Sequence, residues 1–265
     1  MQRVKKIGII GFGNMGSSLG VALRERGWKV YAYDKDRRKL KKRDKLYVCK
    51  DQFSLIEKVP ILLIAIKPQD ISSFIKATKE YLERYSPLII SIVAGTKTKL
   101  FEKLIGKVKV IRSMPNLAAR KRLSITFLSK GTFATRNDLT IAKEIFNCVG
   151  QSLVIEERFL DKVTAISGSG PGYLYYFMNC LYESARMLGF NKDIARDMTI
   201  ATVTGGVSVL KDSNDDFSAW LRRVTSRGGT TEAALNVLNR NDVDKVIKKA
   251  IKAAYARAKE LSRGG

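Results

Sequence analysis

The chain of 265 residues contains no histidine. That absence removes whole mechanisms: no Ser-His-Asp triad, no Cys-His pair, no histidine metal cluster and no histidine proton relay of the hydroxy-acid dehydrogenase kind can operate. An enzyme made from this sequence works with hydroxyls, lysine, carboxylates or water, or needs little acid–base help. Cysteine is scarce. Cys49, Cys148 and Cys180 stand far apart and in no C-x-x-C spacing, so neither a disulfide framework nor a zinc site follows, and no metal site is expected. They read as small core residues. Long apolar runs are missing too: nowhere do about 18 apolar residues run together. The apolar part of "MQRVKKIGIIGFG" is short and broken by glycine, which argues against an export or membrane segment. The expected location is the cytoplasm.

Acidic residues are in short supply. Against 49 Lys+Arg there are 25 Asp+Glu, a net charge of +24. Such a charge attracts nucleic acid at modest salt. Yet the basic residues are spread over most helical segments, with no zinc finger, RNP sequence or basic tail, so nucleic acid is not the expected partner. The length and a hydrophobic content of 45% fit a soluble protein of one or two domains with a proper core.

What is present begins with "KKIGIIGFGNMGSSLGVALRER", Lys5 to Arg26. A short apolar run leads into Gly11, Gly13 and Gly16, and a helical pattern (Met15, Leu19, Ala22, Leu23) follows at once. In G-x-G-x-x-G the first glycine makes the turn, the second lets backbone approach a pyrophosphate, and the third lets helix pack on strand. The diphosphate then sits on free N–H groups at the positive end of the helix. Loops also collect glycine for φ > 0 alone; placement between strand and helix is what favours a dinucleotide here. "WKVYAYD" alternates like a second strand and ends on Asp34, where an acidic residue commonly binds a ribose diol. Lys35, Arg37, Arg38 and Lys39 follow, which suit a 2′-phosphate or form a solvated helix face. NADH and NADPH both stay open.

"VPILLIAIKPQD" (Val59 to Asp70) is an unbroken apolar run, as expected of a parallel strand buried on both faces. "SPLIISIVAG" (Ser86 to Gly95) and "KVKVIRSMPN" (Lys107 to Asn116) repeat it. "RLSITFLS" and "SLVIEE" read as further strands, with a helix from Asn137 to Val149 between them. Alternating strand and helix predict an α/β fold, a Rossmann-type doubly wound sheet over residues 1–157. From Glu157 the rhythm becomes helical: a helix, a Gly/Ser break, a long helix opened by Pro171, then segments near Lys192 to Leu210, Phe217 to Val224, Thr231 to Leu238 and Asp242 to Leu261. Residues 158–265 are therefore expected to form an all-α domain. Its first long helix is apolar on most sides (Tyr173, Leu174, Tyr176, Phe177, Met178, Leu181), which predicts burial in an intertwined dimer. One loop, "RRVTSRGGTTEAAL" from Arg222 to Leu235, sets two glycines and two threonines before a helix. That combination binds a carboxylate, or Thr230 or Thr231 simply caps the helix.

Together "GFGNMG", "IKPQ" (Ile66 to Gln69), "MPN" (Met114 to Asn116), "GSGPGY" (Gly168 to Tyr173) and "VTSRGGTTEAAL" (Val224 to Leu235) resemble the pyrroline-5-carboxylate reductase family, in order and over nearly the whole chain. The resemblance implies an NAD(P)H-dependent reductase that converts L-1-pyrroline-5-carboxylate to L-proline, a Rossmann domain followed by a helical dimerisation domain, and dimers or rings of dimers. It implies an active site between the nucleotide domain of one subunit and the helical domain of its partner. Gly11, Phe12, Gly13, Asn14, Met15 and Gly16 would hold the pyrophosphate, with Asp34 and Lys35 at the adenosine ribose. Ala65, Ile66, Lys67 and Pro68 would line the nicotinamide half, Ala94 and Gly95 would lie nearby, and Asn116 would close the site. Ser226, Gly228, Gly229 and Thr230 would bind the substrate carboxylate, and the Thr231 hydroxyl would face the ring nitrogen as the catalytic group.

The chain departs from the family pattern at Arg227, where proline is usual, in "LAARKRL" after "MPN", at Gln52 in place of an asparagine, and in its basicity. Two rivals remain. A related imine reductase shares the build, as does a β-hydroxyacid dehydrogenase, but the latter uses a lysine in the first long helix of the second domain and Tyr173 to Gly189 has none. A non-catalytic nucleic-acid-binding relative would have no need to keep both glycine loops.

Overall fold

The computed structural model describes residues 5–40 and 46–263. The chain divides into two compact units, residues 1–171 with 253–265, and residues 172–252.

The first unit is organised on an eight-stranded sheet of order β3-β2-β1-β4-β5-β6-β7-β8. Its strands are β1 (Lys6–Ile10), β2 (Lys29–Tyr33), β3 (Tyr47–Val48), β4 (Ile61–Ile64), β5 (Leu88–Ser91), β6 (Val110–Met114), β7 (Ser124–Lys130) and β8 (Gly150–Val154). Helices α1 (Asn14–Glu25), α2 (Gln52–Ile56), α3 (Ile71–Tyr85), α4 (Thr98–Ile105) and α5 (Arg136–Asn147) connect them. The period of two along each strand divides the core between the faces. Ile61 and Leu63 of β4 join Ile9, Leu19 and Phe146 on one side, while Leu62 and Ile64 join Leu55, Ile75 and Phe101 on the other. Each fully buried Leu or Ile contributes roughly 1.5–3 kcal/mol, and that two-sided burial is why β4 reads as a continuous apolar run.

Two features depart from the sequence expectation. Strand and helix do not alternate throughout: only a 3-10 segment, Leu117–Lys121, joins β6 to β7. Without a crossover helix the chain reverses, and β7 runs antiparallel to β6. The short β3 was also not anticipated. Two residues are too few to show a pattern; β3 is held by parallel pairing to β2 and by Tyr47 stacked on Tyr31 at 5.0 Å.

After β8 come α6 (Leu160–Val163), a π-helical segment Thr164–Gly168, and α7 (Gly170–Met187). The expected Gly/Ser break is thus a π-helical widening, marked by Ser169 N–H donating to Thr164 O at 2.9 Å. Sequence rhythm changes at residue 157, whereas the compact sheet unit runs on to Pro171 and takes in residues 253–265. A buried polar cluster explains this. Arg112 of β6, 3% exposed, reaches Asp161 Oδ1 at 2.6 Å and lies 3.5 Å from Glu157 Oε1. Glu157 accepts both the N–H and the hydroxyl of Thr98 at 2.8 Å, and Ser262 near the C-terminus donates to Asp161 at 2.7 Å.

The second unit is helical: most of α7, then α8 (Lys192–Lys211), α9 (Phe217–Arg223), α10 (Thr230–Arg240) and the first half of α11 (Val243–Arg263). Asn191 and Asp216 cap α8 and α9 by accepting the N–H groups of Ile194 and Ala219. Among its residues only Ala185, Ala195 and Thr199 are buried. Tyr176 is 68% exposed, Met187 80% and Phe217 80%. A single copy of this unit buries few of its residues, and apolar surface of this extent is of the kind that interfaces cover. No helix among the described residues is long and apolar enough to cross a membrane.

Candidate functional site

The glycine loop between β1 and α1 has the expected mechanics, one residue at a time. Gly11 holds φ +91°, and a Cβ there would lie 2.5 Å from Ala65 O, so no other residue fits. A Cβ at Gly16 would overlap Gly11 O, which makes its glycine a matter of helix meeting strand. Gly13 differs: its backbone is ordinary (φ −73°, ψ −160°), and a Cβ there would meet no protein atom within 4 Å. Neither strain nor packing requires glycine at this position, and the missing side chain leaves room for a ligand to approach the backbone. Gly13 is the N-cap of α1 and makes no side-chain cap. The helical ladder begins with Ser17 N–H to Gly13 O at 2.9 Å, which leaves the first-turn amides of Asn14, Met15 and Gly16 for an anion. This cradle fits a dinucleotide diphosphate.

Beside the loop lies a cleft of about 700 Å³ at the carboxyl ends of β1, β2 and β4. It brings together Gly11, Gly13, Asp34, Lys35, Ala65, Ile66 and Lys67, and Gln52 as well. Other predicted residues act differently. Phe12 turns its ring into the core at 2% exposure and gives its N–H to Asp34 Oδ2 at 2.7 Å. Pro68 opens a 3-10 turn leading to α3. Gly95 (φ +73°) sits where a Cβ would lie 2.6 Å from Leu261 Cβ, so packing within the sheet unit already requires it to be glycine. Ala94, Gly95 and Asn116 do not line the cleft; they follow β5 and β6 on the same sheet edge. Asn116 is fixed at both ends of its amide, accepting Ala118 N–H and donating to Ser167 Oγ, each at 3.2 Å.

Sequence reasoning missed the far wall of the cleft. Gln69 and Asp70 of the 3-10 turn and Ser73, Phe74 and Ala77 of the first turns of α3 line it. Their signal was "KPQDISSF", a turn and helix start directly after a buried strand. The basic run also turns out to be paired: Lys35 with Asp70 at 3.2 Å, Arg38 with Asp36 at 2.8 Å, and Lys39 with Asp34 at 3.4 Å. The Arg38 guanidinium holds the Asp36 carboxyl below its usual value.

In the helical unit the corner before α10 is open. The N-cap is Gly229, with no side-chain cap, so neither Thr230 nor Thr231 spends its hydroxyl on capping. Thr230 is exposed and Thr231 half-buried. The ladder starts with Ala233 N–H to Gly229 O at 3.1 Å, which leaves the first-turn amides of Thr230 and Thr231 outside it. Two amides expected to be free are taken: Gly229 N–H donates to Ser226 O at 3.0 Å, and Gly228 N–H to Glu232 Oε2 at 2.7 Å. Gly228 holds φ +72°, and a Cβ at Gly229 would press on Ser226 Oγ at 2.5 Å.

Comparison with known proteins gives a consistent picture. A family model described as pyrroline-5-carboxylate reductase dimerisation matches residues 157–261. One described as NADP oxidoreductase, coenzyme F420-dependent, matches residues 6–95. Pyrroline-5-carboxylate reductase 2 of Bacillus subtilis is 32% identical, over 97% of this chain and 95% of that protein. Among solved structures, a pyrroline-5-carboxylate reductase from Coxiella burnetii superposes with a TM-score of 0.87 at 30% identity, covering 98% and 99% of the two chains. The pyrroline carboxylate reductase of Plasmodium falciparum, solved with NADP bound, gives a TM-score of 0.89 at 26% identity and covers 99% of both.

Proposed function

The chain belongs to the pyrroline-5-carboxylate reductase family, and from that premise we propose that it reduces the C=N bond of L-1-pyrroline-5-carboxylate to give L-proline, using NADH or NADPH. The observation that carries the cofactor half is Gly13: neither backbone strain nor packing requires glycine there, and it opens the turn of α1 whose first amides are left free. The bound nicotinamide supplies the hydride.

Gly11 to Gly16 offer the diphosphate their amides and the positive end of α1. Ala65, Ile66, Lys67 and Pro68 flank the nicotinamide half, with Ala94, Gly95 and Asn116 beyond the neighbouring strands. Ser226, Gly228, Gly229 and Thr230 form the carboxylate corner, in which the amides of Thr230 and Thr231 are the available donors. Thr231 Oγ1 accepts the N–H of the protonated cyclic imine and stays its partner as the nitrogen becomes an amine. A protonated imine is already a strong hydride acceptor, so orientation and one hydroxyl contact meet the chemical need. A chain without histidine can do this work.

The chain forms a homo-oligomer through its dimerisation region. In finer detail, two copies intertwine through α7, and the Ser226 to Thr231 corner serving each cofactor comes from the neighbouring copy. The exposed Tyr176 and Phe177 support that arrangement. The deciding experiment follows NADH and NADPH oxidation with pyrroline-5-carboxylate and with 1-pyrroline-2-carboxylate. Turnover of the first is expected; turnover of the second alone would replace this substrate. Light scattering on a gel-filtration column is expected to give at least twice the chain mass, and a 29.7 kDa species at micromolar concentration would overturn the dimer.

A further inference from the structure

Asp34, immediately after β2, carries a carboxylate that cannot turn away from the cleft. Its side chain is 6% exposed, with Oδ2 held by Phe12 N–H at 2.7 Å and Oδ1 by Asp36 N–H at 2.8 Å. The end of this strand is where the adenosine ribose of a dinucleotide lies on such a loop. A fixed carboxylate there accepts hydrogen bonds from the neutral 2′,3′-diol of NADH. It repels the doubly charged 2′-phosphate of NADPH.

Four cations follow Asp34 in the chain, and they are not equivalent; Arg37 turns away and donates to Lys50 O at 2.9 Å. Lys35 closes on Asp70 at 3.2 Å, and Arg38 holds Asp36 in a two-point contact at 2.8 and 3.1 Å. Lys39 places its ammonium 3.4 Å from both oxygens of Asp34, lines the same cleft, and keeps a side chain 45% exposed. Among the described residues it is the cation that faces Asp34. Its charge decides whether the ribose corner is negative or balanced. An ammonium on a flexible stem also swings readily toward an incoming phosphate.

Taking the cleft as a nicotinamide-dinucleotide site, as proposed above, we propose that Lys39 is the specificity-determining residue. By neutralising the immovable Asp34 it admits the 2′-phosphate of NADPH beside a group that otherwise selects NADH. The proposal concerns the selectivity between the two nucleotides, not the hydride transfer.

The test is equilibrium titration of the full-length protein with NADH and with NADPH, read by nucleotide fluorescence without substrate. The wild type is expected to bind both. Lys39→Ala is expected to raise the Kd for NADPH relative to that for NADH by about tenfold or more, and Lys39→Arg to hold the ratio within about threefold. Added salt is expected to weaken NADPH more than NADH in the wild type, with that difference reduced in Lys39→Ala. An unchanged ratio in Lys39→Ala, or a wild type that binds NADH but not NADPH, overturns the role given to Lys39. A wild type that binds neither nucleotide overturns the cofactor site itself, and the inference with it.

Discussion

Gly228 and Glu232 are joined by a 2.7 Å hydrogen bond, from the backbone N–H of the first to a carboxylate oxygen of the second. The bond holds a loop residue with φ +72° against the opening turn of α10 and sets a negative charge beside the corner proposed for the substrate carboxylate. Removing Glu232 frees the loop and also relieves its repulsion of a bound carboxylate, and the loss of loop order is expected to outweigh that relief. Glu232→Ala is expected to raise the KM for pyrroline-5-carboxylate about 3- to 10-fold with kcat changed less than about threefold. Steady-state kinetics at saturating NADH check this; an unchanged KM means that the corner keeps its form unaided.

Thr231 stands at the second helical position of α10, with its hydroxyl not used for capping. Thr231→Ala is expected to lower kcat by about 10- to 1000-fold and leave the cofactor KM nearly unchanged, because the lost contact strengthens as the ring nitrogen changes character. Thr231→Ser keeps the hydroxyl and is expected to retain most of the rate. An unchanged kcat in the alanine variant removes Thr231 from the mechanism.

Gly13 and Gly16 separate ligand from fold within one loop. A methyl at Gly16 overlaps Gly11 O, while one at Gly13 meets no protein atom within 4 Å. Gly16→Ala is expected to cost about 1–3 kcal/mol of stability. Gly13→Ala is expected to change stability by less than about 1 kcal/mol and yet raise the Kd for NADH about tenfold or more. Thermal unfolding beside nucleotide titration distinguishes the two. Equal binding by Gly13→Ala and wild type would leave its glycine unexplained.

Much of this was legible in the sequence. The glycine spacing, the apolar strands and the helical periodicity are local signals, so the predicted Lys192 to Leu210 helix is found at Lys192–Lys211. The reversal at β7 was legible but missed: between the strand readings ending at Asn116 and starting at Arg122 the segment is too short for a parallel crossover, which needs about a dozen residues. What stayed hidden was relational. The contact of Gly95 with Leu261, which by itself requires glycine there, spans most of the chain and has no local signal. The pairing of Lys35 with Asp70 and of Lys39 with Asp34 likewise depends on the fold, and it turned a block of basic residues into a set of distinct partners.

Arg112 makes the contrast between buried and exposed charge measurable. Its side chain is 4% exposed, and it faces Asp161 and Glu157, with Nη1 buried and without a hydrogen bond. Removing it leaves two largely buried carboxylates without their cation, so Arg112→Ala is expected to cost about 3–5 kcal/mol in urea unfolding. Arg196, paired with Asp197 at 3.3 Å on the surface, is the comparison: Arg196→Ala is expected to change stability by less than about 0.5 kcal/mol. A small effect at Arg112 would mean that water reaches the cluster.

The lack of histidine shapes the stability profile. Desolvation pushes the Cys49 and Cys148 thiols up, away from neutrality. Several carboxyls are held below their usual value: Asp51 by Ser54 N–H at the cap of α2, Asp36 by Arg38, Asp215 by Arg223, and Asp216 by Ala219 N–H. A carboxyl whose folded pKa lies below its unfolded value stabilises the fold above the unfolded value, about 3.9 for Asp. That contribution is lost as pH falls through the folded pKa. The thermal midpoint is therefore expected to stay flat between about pH 5.5 and 7.5 and to fall below about pH 4. An inflection near pH 6.5, where histidine titrates in other proteins, would require a group shifted far from its ordinary range and would contradict this account.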